Sequence, residues 1–329
     1  MLGVESTRKH FSSNGTKLLK VSLQEELNKI ELVKNLGFIA NQVVEGFISG
    51  KHKSPFHGFS SEFAEHKIYN QGESTRHIDW KRYAKTDKLY TKKYDEETNL
   101  RCHIIIDNSS SMHYPTLKNQ SATNYNKIGF SVLAAASLMN LLKRQRDAVG
   151  LSVYSDRYEF YAPEKGSERH FRILIQAMEQ LLEQPTVRRQ TNSYTYLHQI
   201  AEKIQRRSFI AYFTDMFQTQ TDSEQLFKAL QHLKYNKHQV VLFHVMDKEK
   251  EFDFQFENRA KRFVDLETNQ EIDLFPEQIQ QNYKKAMEQY QEMLKLRCAQ
   301  YGIKYVEVDI AKNIHKILQA YLIEQQKFI

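Results

Sequence analysis

Short apolar runs alternate along this chain with longer, mainly apolar segments. Four runs have the length of buried strands: residues 104–106, 148–154, 209–213 and 240–245. The segment from Lys127 to Arg144 is too long for a strand and too interrupted for a membrane span, so it predicts a buried helix; Phe171 to Leu182 predicts another. Strands that alternate with helices need crossover connections. The pattern therefore predicts an α/β fold with a parallel sheet flanked by helices.

The flanking segments suggest how the rest of the chain is organised. Leu23 to Ile48 has helical spacing, Pro276 to Gln300 predicts a long helix, Tyr301 to Val308 a strand and Ile314 to Ile323 a closing helix. We expect three regions: a flexible N-terminus at 1–20, a helical and then β-rich segment at 21–98, and the main α/β domain with its C-terminal extension at 99–329. The single tryptophan, Trp80, is expected to be buried and to anchor the segment before the first strand of the domain.

A D-x-S-x-S pattern follows the first strand of the predicted domain, with Asp107, Ser109 and Ser111 at its polar positions. One carboxylate and two hydroxyls are hard oxygen ligands that suit Mg²⁺. Asp and Ser are also common turn formers, so the loop alone does not decide the question. An EF-hand loop would need Gly and Glu where Met112 and Lys118 stand. A phosphatase with an aspartyl nucleophile would usually carry a second Asp in place of Ser109.

A second polar group follows a later strand, where Phe209 to Phe213 runs into Thr214 and Asp215. The carboxyl ends of parallel strands meet at one edge of a sheet, and ligands bind there near a switch in strand order. We therefore expect Asp107 and Asp215 to share that edge.

These residues give the chain a resemblance to von Willebrand factor A domains that carry a metal-ion-dependent adhesion site. That site combines D-x-S-x-S with a distant Thr and a distant Asp. Thr195 matches the distant Thr, with Thr191 as the alternative, and Asp215 matches the Asp. The resemblance implies a Mg²⁺ site, for which Mn²⁺ is also possible, with one ligand supplied by an Asp or Glu of a protein partner. The implied ligands are Asp107, Ser109, Ser111, Thr195 and Asp215.

From about residue 30 to the end, the chain also resembles the bacterial family called "domain of unknown function 58". The motifs that carry this resemblance are Gly58-Phe59-Ser60-Ser61-Glu62-Phe63, Tyr69-Asn70-Gln71-Gly72-Glu73, Arg76-His77-Ile78-Asp79-Trp80, Tyr83-Ala84-Lys85 and Phe263-Val264-Asp265-Leu266-Glu267-Thr268. Glu73 departs from the usual Asp, and Tyr83 and Lys85 from the usual Ser and Arg. The resemblance implies an accessory partner of a MoxR-type AAA+ ATPase in protein remodelling or maturation.

Charge and cysteine content narrow the choice of partner and compartment. The net charge is +7, and the segment from Lys67 to Lys93 holds eight basic against three acidic residues, with aromatic residues among them. An acidic protein partner explains this basic segment better than nucleic acid does. Cys102 and Cys298 form no C-x-x-C motif, and no apolar run reaches the length of a membrane span. We expect a reduced, cytoplasmic protein without a membrane span.

An enzymatic function at the same strand ends is the alternative, namely Mg²⁺-dependent phosphotransfer or hydrolysis. The sequence contains no P-loop, G-x-G-x-x-G or G-x-S-x-G motif. We therefore expect a non-enzymatic, metal-dependent protein-interaction module.

Overall fold

A computed structural model describes residues 30–50, 65–68, 80–93, 100–117, 119–183, 193–216, 220–266, 270–312 and 314–325. Three sequence-based expectations lie outside these residues: the flexible N-terminus at 1–20, the alternative ligand Thr191, and most of the motifs between 58 and 79. The boundaries of the three predicted regions stay a prediction.

The core of the protein is a six-stranded sheet in the order β10-β7-β6-β3-β4-β5. Numbered along the chain, the strands are β1 (Glu65–Ile68), β2 (Tyr90–Lys93), β3 (Arg101–Asp107), β4 (Ala148–Tyr154), β5 (Tyr158–Lys165), β6 (Phe209–Thr214), β7 (Gln239–Met246), β8 (Lys261–Val264), β9 (Glu271–Leu274) and β10 (Lys304–Asp309). Neighbouring strands of the sheet are parallel, except that β5 pairs antiparallel with β4. The predicted α/β fold with a mainly parallel sheet is confirmed, and the antiparallel edge strand was not predicted.

Helices cover both faces of this sheet. In the described parts of the chain, the α-helices are α1 (Leu36–Gly50), α2 (Trp80–Thr86), α3 (Lys127–Arg144), α4 (Glu168–Glu183), α5 (Ser193–Lys203), α6 (Gln220–Tyr235), α7 (Pro276–Gln300) and α8 (His315–Gln325). One apolar core packs α1, α3, α4 and α8 against the sheet, and a second packs α5, α6 and α7 against the opposite face. The bounds of α3 and α7 are those that the hydrophobic pattern predicts.

Helix α3 shows how the sequence determines these layers. Its side chains are apolar or small nearly all round, which is typical of a helix buried on every side. It lies between the sheet and α1, and only its last turns reach solvent. Its first turn is capped by Asn126, whose side-chain oxygen accepts a hydrogen bond of 2.9 Å from the backbone N–H of Gly129.

The expectation that Trp80 is buried is wrong. Its side chain is 61% exposed on the short helix α2, where its described ring contact is an edge-to-face one with Tyr83 at 6.2 Å between centroids. Three of the seven residues of α2, namely Lys81, Arg82 and Lys85, are basic. The helix therefore has no apolar stripe wide enough to bury the indole.

The strand order places a switch point beside β3. The chain passes from β3 to β4 on one side, and β6 then pairs with β3 on the other side. Connections that leave in opposite directions open a crevice outside the carboxyl ends of the two strands, and ligands of open α/β sheets bind in such crevices. Asp107 ends β3 and Asp215 directly follows β6, so both lie at this crevice.

Candidate functional site

Asp107 is the residue on which the site is built. It is the last residue of β3, and its side chain is almost fully buried. Its Oδ1 accepts a hydrogen bond of 3.0 Å from the backbone N–H of Ser109, and its Oδ2 accepts one of 2.9 Å from the hydroxyl of Thr214 on β6. The carboxylate therefore spans the crevice between β3 and β6 and is held in one orientation from both sides.

The two serines of the D-x-S-x-S loop converge beside this carboxylate. A single 3₁₀ turn from Ser110 to His113 follows the strand, and it brings the hydroxyl oxygens of Ser109 and Ser111 to 3.1 Å from each other. The side chain of Asn108 fixes the loop, because its amide donates to Glu159 at 2.9 Å and its oxygen lies 2.9 Å from Nε2 of His113. The loop is thus an ordered set of oxygens.

Asp215 lies on the far side of the crevice and is paired with a buried lysine. The ammonium of Lys127, at the start of α3, lies 2.9 Å from Oδ2 of Asp215 and also bonds to the carboxylate of Glu251. Lys127 is fully buried. Glu251 lies in the helical turn after β7, where its Oε2 accepts a hydrogen bond of 2.8 Å from the backbone N–H of Asp247. Three neighbouring elements are therefore joined through one ammonium group.

The electrostatics of this cluster follow from burial. Desolvation, together with the charge of Asp215, raises the pKa of Asp107 to about 7. Burial opposes the charged form of Lys127, but Asp215 and Glu251 outweigh it and raise the pKa of the ammonium above its usual value. Burial lowers the pKa of His244 to about 4, so this neighbouring imidazole is neutral at pH 7. When the carboxyl groups of Asp107, Asp215 and Glu251 are all ionised, the single ammonium of Lys127 neutralises one of the three negative charges and leaves two uncompensated.

Thr195, the predicted distant ligand, lies in the first turn of α5. The next residue, Tyr196, stacks on Tyr154 with 5.9 Å between ring centroids, and its hydroxyl donates a hydrogen bond of 2.6 Å to the backbone carbonyl of Asp156. Tyr154 ends β4 and is the register partner of Asp107. Helix α5 therefore begins at the same edge of the sheet, on the β4 side of Asp107.

The predicted set of oxygens suits a hard divalent cation in composition. Carboxylate and hydroxyl oxygens are the ligands that Mg²⁺ accepts, and it usually keeps several waters besides one or two carboxylates. Among the described residues, no three or more His, Cys, Asp or Glu side chains form a metal-ligating group. A site here would therefore depend on hydroxyls and water in addition to Asp107 and Asp215. The bond from Lys127 to Asp215 is the feature that such a cation would have to accommodate.

Sequence reasoning missed three residues of this cluster. Thr214 stood next to a predicted ligand, and its position at a strand end was a usable signal. Lys127 was interpreted only as the start of a helix, and its partner Asp215 is 88 positions away. Glu251 lies in an irregular turn that no periodicity marks. Contacts of this kind depend on the tertiary fold.

The fold and site describe an α/β protein with a polar, partly charged cluster at its switch point, and sequence comparison identifies the family. Residues 65–293 match the family model described as "Protein of unknown function DUF58". The match covers more than half of the chain, so the protein belongs to this family. Among the described residues, no helix is both long and apolar enough to cross a membrane.

The individual relatives add little detail. Uncharacterized proteins from Mycobacterium tuberculosis and Mycobacterium bovis are 20% identical over 153 residues, which is 46% of this chain and 46% of theirs. The match thus spans about half the length of these relatives. Solved structures also resemble this chain, and two of them illustrate the likeness. The conserved hypothetical protein BatB from Bacteroides thetaiotaomicron is 16% identical, with 70% of this chain and 98% of BatB covered and a TM-score of 0.39. An aerotolerance-related membrane protein from Bacteroides fragilis is 15% identical, with 69% and 99% covered and a TM-score of 0.42.

Proposed function

We propose that this protein is a non-enzymatic interaction module that binds Mg²⁺ at the carboxyl edge of its sheet and engages an acidic group of a protein partner there. The ligands are Asp107, Ser109, Ser111, Thr195 and Asp215, in direct contact or through water. The observation that carries the proposal is the pair of buried carboxylates, Asp107 and Asp215, at the topological switch point. Their mutual repulsion is relieved by a cation between them.

The chain's own residues prepare this edge for an incoming ligand. Ser109 and Thr214 hold the Asp107 carboxylate from two sides, so its orientation does not depend on the metal. The hydroxyls of Ser109 and Ser111 are neutral, and they would leave positive charge on a bound Mg²⁺. That charge favours a partner's Asp or Glu over a neutral group, because Coulomb attraction strengthens where water is excluded.

The resemblance of the sequence to this family suggests the kind of partner. We propose a MoxR-type AAA+ ATPase, with this protein acting as its accessory in the remodelling or maturation of other proteins. An acidic patch on the ATPase would supply the carboxylate at the metal. The surplus of basic residues between Lys67 and Lys93 would provide a second, longer-range attraction to such a patch.

The test is capture of a purified MoxR-type ATPase by the immobilised protein in Mg²⁺ and in EDTA. EDTA, or the double variant Ser109→Ala with Ser111→Ala, should abolish capture. The matched double variant Ser49→Ala with Ser137→Ala should leave it unchanged, because it removes two helix hydroxyls that bond to backbone carbonyls within α1 and α3. Capture that persists in EDTA but is released by salt would contradict a metal-dependent interface and favour the basic segment.

A further inference from the structure

Two histidines on neighbouring helices form a pair that is not part of the candidate site at the carboxyl edge of the sheet. His198 lies on α5 and His232 on α6, and their Nδ1 atoms are 3.0 Å apart. The ring centroids are 5.2 Å apart, and both side chains are half-buried. The pair thus lies between two helices that cover one face of the sheet and is partly open to solvent.

The short distance between the two nitrogens has a chemical consequence. When two neutral imidazoles lie at this distance, one Nδ1 carries a proton and donates a hydrogen bond to the other Nδ1. A metal ion can replace that proton when both imidazoles place their hydrogens on Nε2. With Zn–N bonds of about 2.0–2.1 Å, two ligand nitrogens lie about 3.3 Å apart at a tetrahedral angle and about 2.9 Å apart at a right angle. The observed distance falls between these values.

We propose that His198 and His232 bind a divalent transition metal ion, such as Zn²⁺, Ni²⁺ or Cu²⁺, through both Nδ1 atoms. Imidazole nitrogens select these ions over Mg²⁺, which prefers oxygen. The site is independent of the carboxyl edge and of the function proposed for it.

The surroundings keep His198 neutral, which is the form that binds a metal ion. Burial and the neighbouring His232 lower the pKa of the His198 imidazole, and the negative charge of Glu202, one turn further along α5, only partly opposes them. No cluster of three His, Cys, Asp or Glu ligands occurs in the described part of the chain. The two imidazoles therefore form an open site that water completes. A metal ion bound there links α5 to α6. Helix α5 carries Thr195 in its first turn.

The experiment is calorimetric titration of metal-free, full-length protein with ZnCl₂, NiCl₂ or CuCl₂ in excess Mg²⁺, which keeps the carboxyl edge occupied if it binds metal. We expect binding of one ion, with Cu²⁺ tightest as the Irving–Williams order requires. His198→Gln and His232→Gln should each weaken binding about tenfold or more, since even the loss of a residue that supports a ligand costs that much. His315→Gln, on the opposite face of the sheet, is the matched control.

Electron paramagnetic resonance of the Cu²⁺ complex gives a second measurement that is independent of the heat of binding. Hyperfine coupling of the copper to two equivalent nitrogens would support the site. This coupling should be lost in His198→Gln and in His232→Gln and kept in His315→Gln. Equal binding by the wild type and both pair variants would overturn the proposal, as would no binding by any of them. Those results would leave the pair as a hydrogen bond between two helices. Neither result bears on Mg²⁺ binding at Asp107.

Discussion

The ammonium of Lys127 lies 2.9 Å from Oδ2 of Asp215, and this contact joins the buried start of α3 to the end of β6. The same ammonium bonds to Glu251 after β7. One lysine therefore bonds to two carboxylates at the switch point, while Asp107, the third carboxyl group of the cluster, accepts hydrogen bonds from two neutral donors, Ser109 and Thr214.

Replacement of Lys127 by Met should lower the free energy of unfolding of the metal-free protein by about 3–5 kcal/mol, because it removes the positive charge to which two buried carboxylates bond. The measurement is urea unfolding in EDTA. Lys143→Met is the matched control on the same helix: in its ion pair with Glu168 the lysine is half-buried and the carboxylate is exposed to solvent, so its loss should cost less than about 1 kcal/mol. Equal stability of the two variants would show that the Lys127 pairs contribute nothing.

Asp107→Asn should stabilise the metal-free protein, and the gain should depend on pH. The pKa of Asp107 is raised from 3.8 to about 7 in the folded state, so the unfolded chain releases its proton first as the pH rises. Folding of the wild type is therefore weakened progressively between about pH 4 and pH 7, by an amount that approaches about 4 kcal/mol. The difference between variant and wild type should grow over this window and level off above it.

Unfolding in EDTA at a series of pH values measures that difference. Both proteins share every other titrating group, so the contributions of groups that do not interact with Asp107 cancel, and the repulsion between Asp107 and Asp215 is part of the measured difference. A stability difference that does not change between pH 4 and pH 8 would show that Asp107 titrates normally.

Trp80→Ala should change the free energy of unfolding by no more than about 0.5 kcal/mol, since the side chain is largely exposed. Phe213→Ala is the contrast: Phe213 is fully buried and stacks on Phe243 at 4.8 Å, and its truncation should cost about 3–5 kcal/mol. Trp80 is the only tryptophan, so its fluorescence should show a water-exposed indole that a soluble quencher reaches. A large loss of stability in Trp80→Ala would mean that the indole packs on the fold after all.

Gly150→Ala should destabilise the protein by about 1–3 kcal/mol through overpacking. A Cβ at Gly150 would lie 2.5 Å from Nδ1 of His103 and 2.9 Å from the backbone oxygen of Ala162. His103 cannot easily yield, because its ring is held at 2.6 Å by Glu164 and at 2.7 Å by Ser152.

The matched control is Gly46→Ala in α1, where an added Cβ meets nothing within 4 Å. That change should stabilise the protein by about 0.5–1 kcal/mol, because alanine favours a helix. Thermal or urea unfolding of the two variants gives the comparison. If Gly150→Ala is as stable as the wild type, the buried His103 network is looser than these distances indicate.

The regular parts of the fold were predictable because they repeat local patterns. Helices α3 and α7 begin and end where the apolar spacing predicts, and the central strands are continuous apolar runs. Strand β5 was missed because it is an antiparallel edge strand with mixed burial, so it has neither a continuous apolar run nor strict alternation.

The candidate site was predictable only in part, for the same physical reason. The D-x-S-x-S loop is local, and a parallel sheet places Asp107 and Asp215 at one edge. The Lys127 bond depends on how α3 packs across the sheet, which no spacing along the chain reveals. The exposure of Trp80 likewise depends on what the indole packs against, and the residue type favours burial in the absence of that knowledge.

The central claim is that Asp107 belongs to a Mg²⁺ site, and calorimetric titration of metal-free protein with MgCl₂ tests it most directly. Asp107→Asn keeps the shape of the side chain and removes its charge, while Asp309→Asn alters an acid at the same edge of the sheet, at the end of the outer strand β10. We predict one Mg²⁺ site in the wild type and in Asp309→Asn, with binding lost in Asp107→Asn. Equal Mg²⁺ binding by wild type and Asp107→Asn, or no binding by the wild type, would contradict the account.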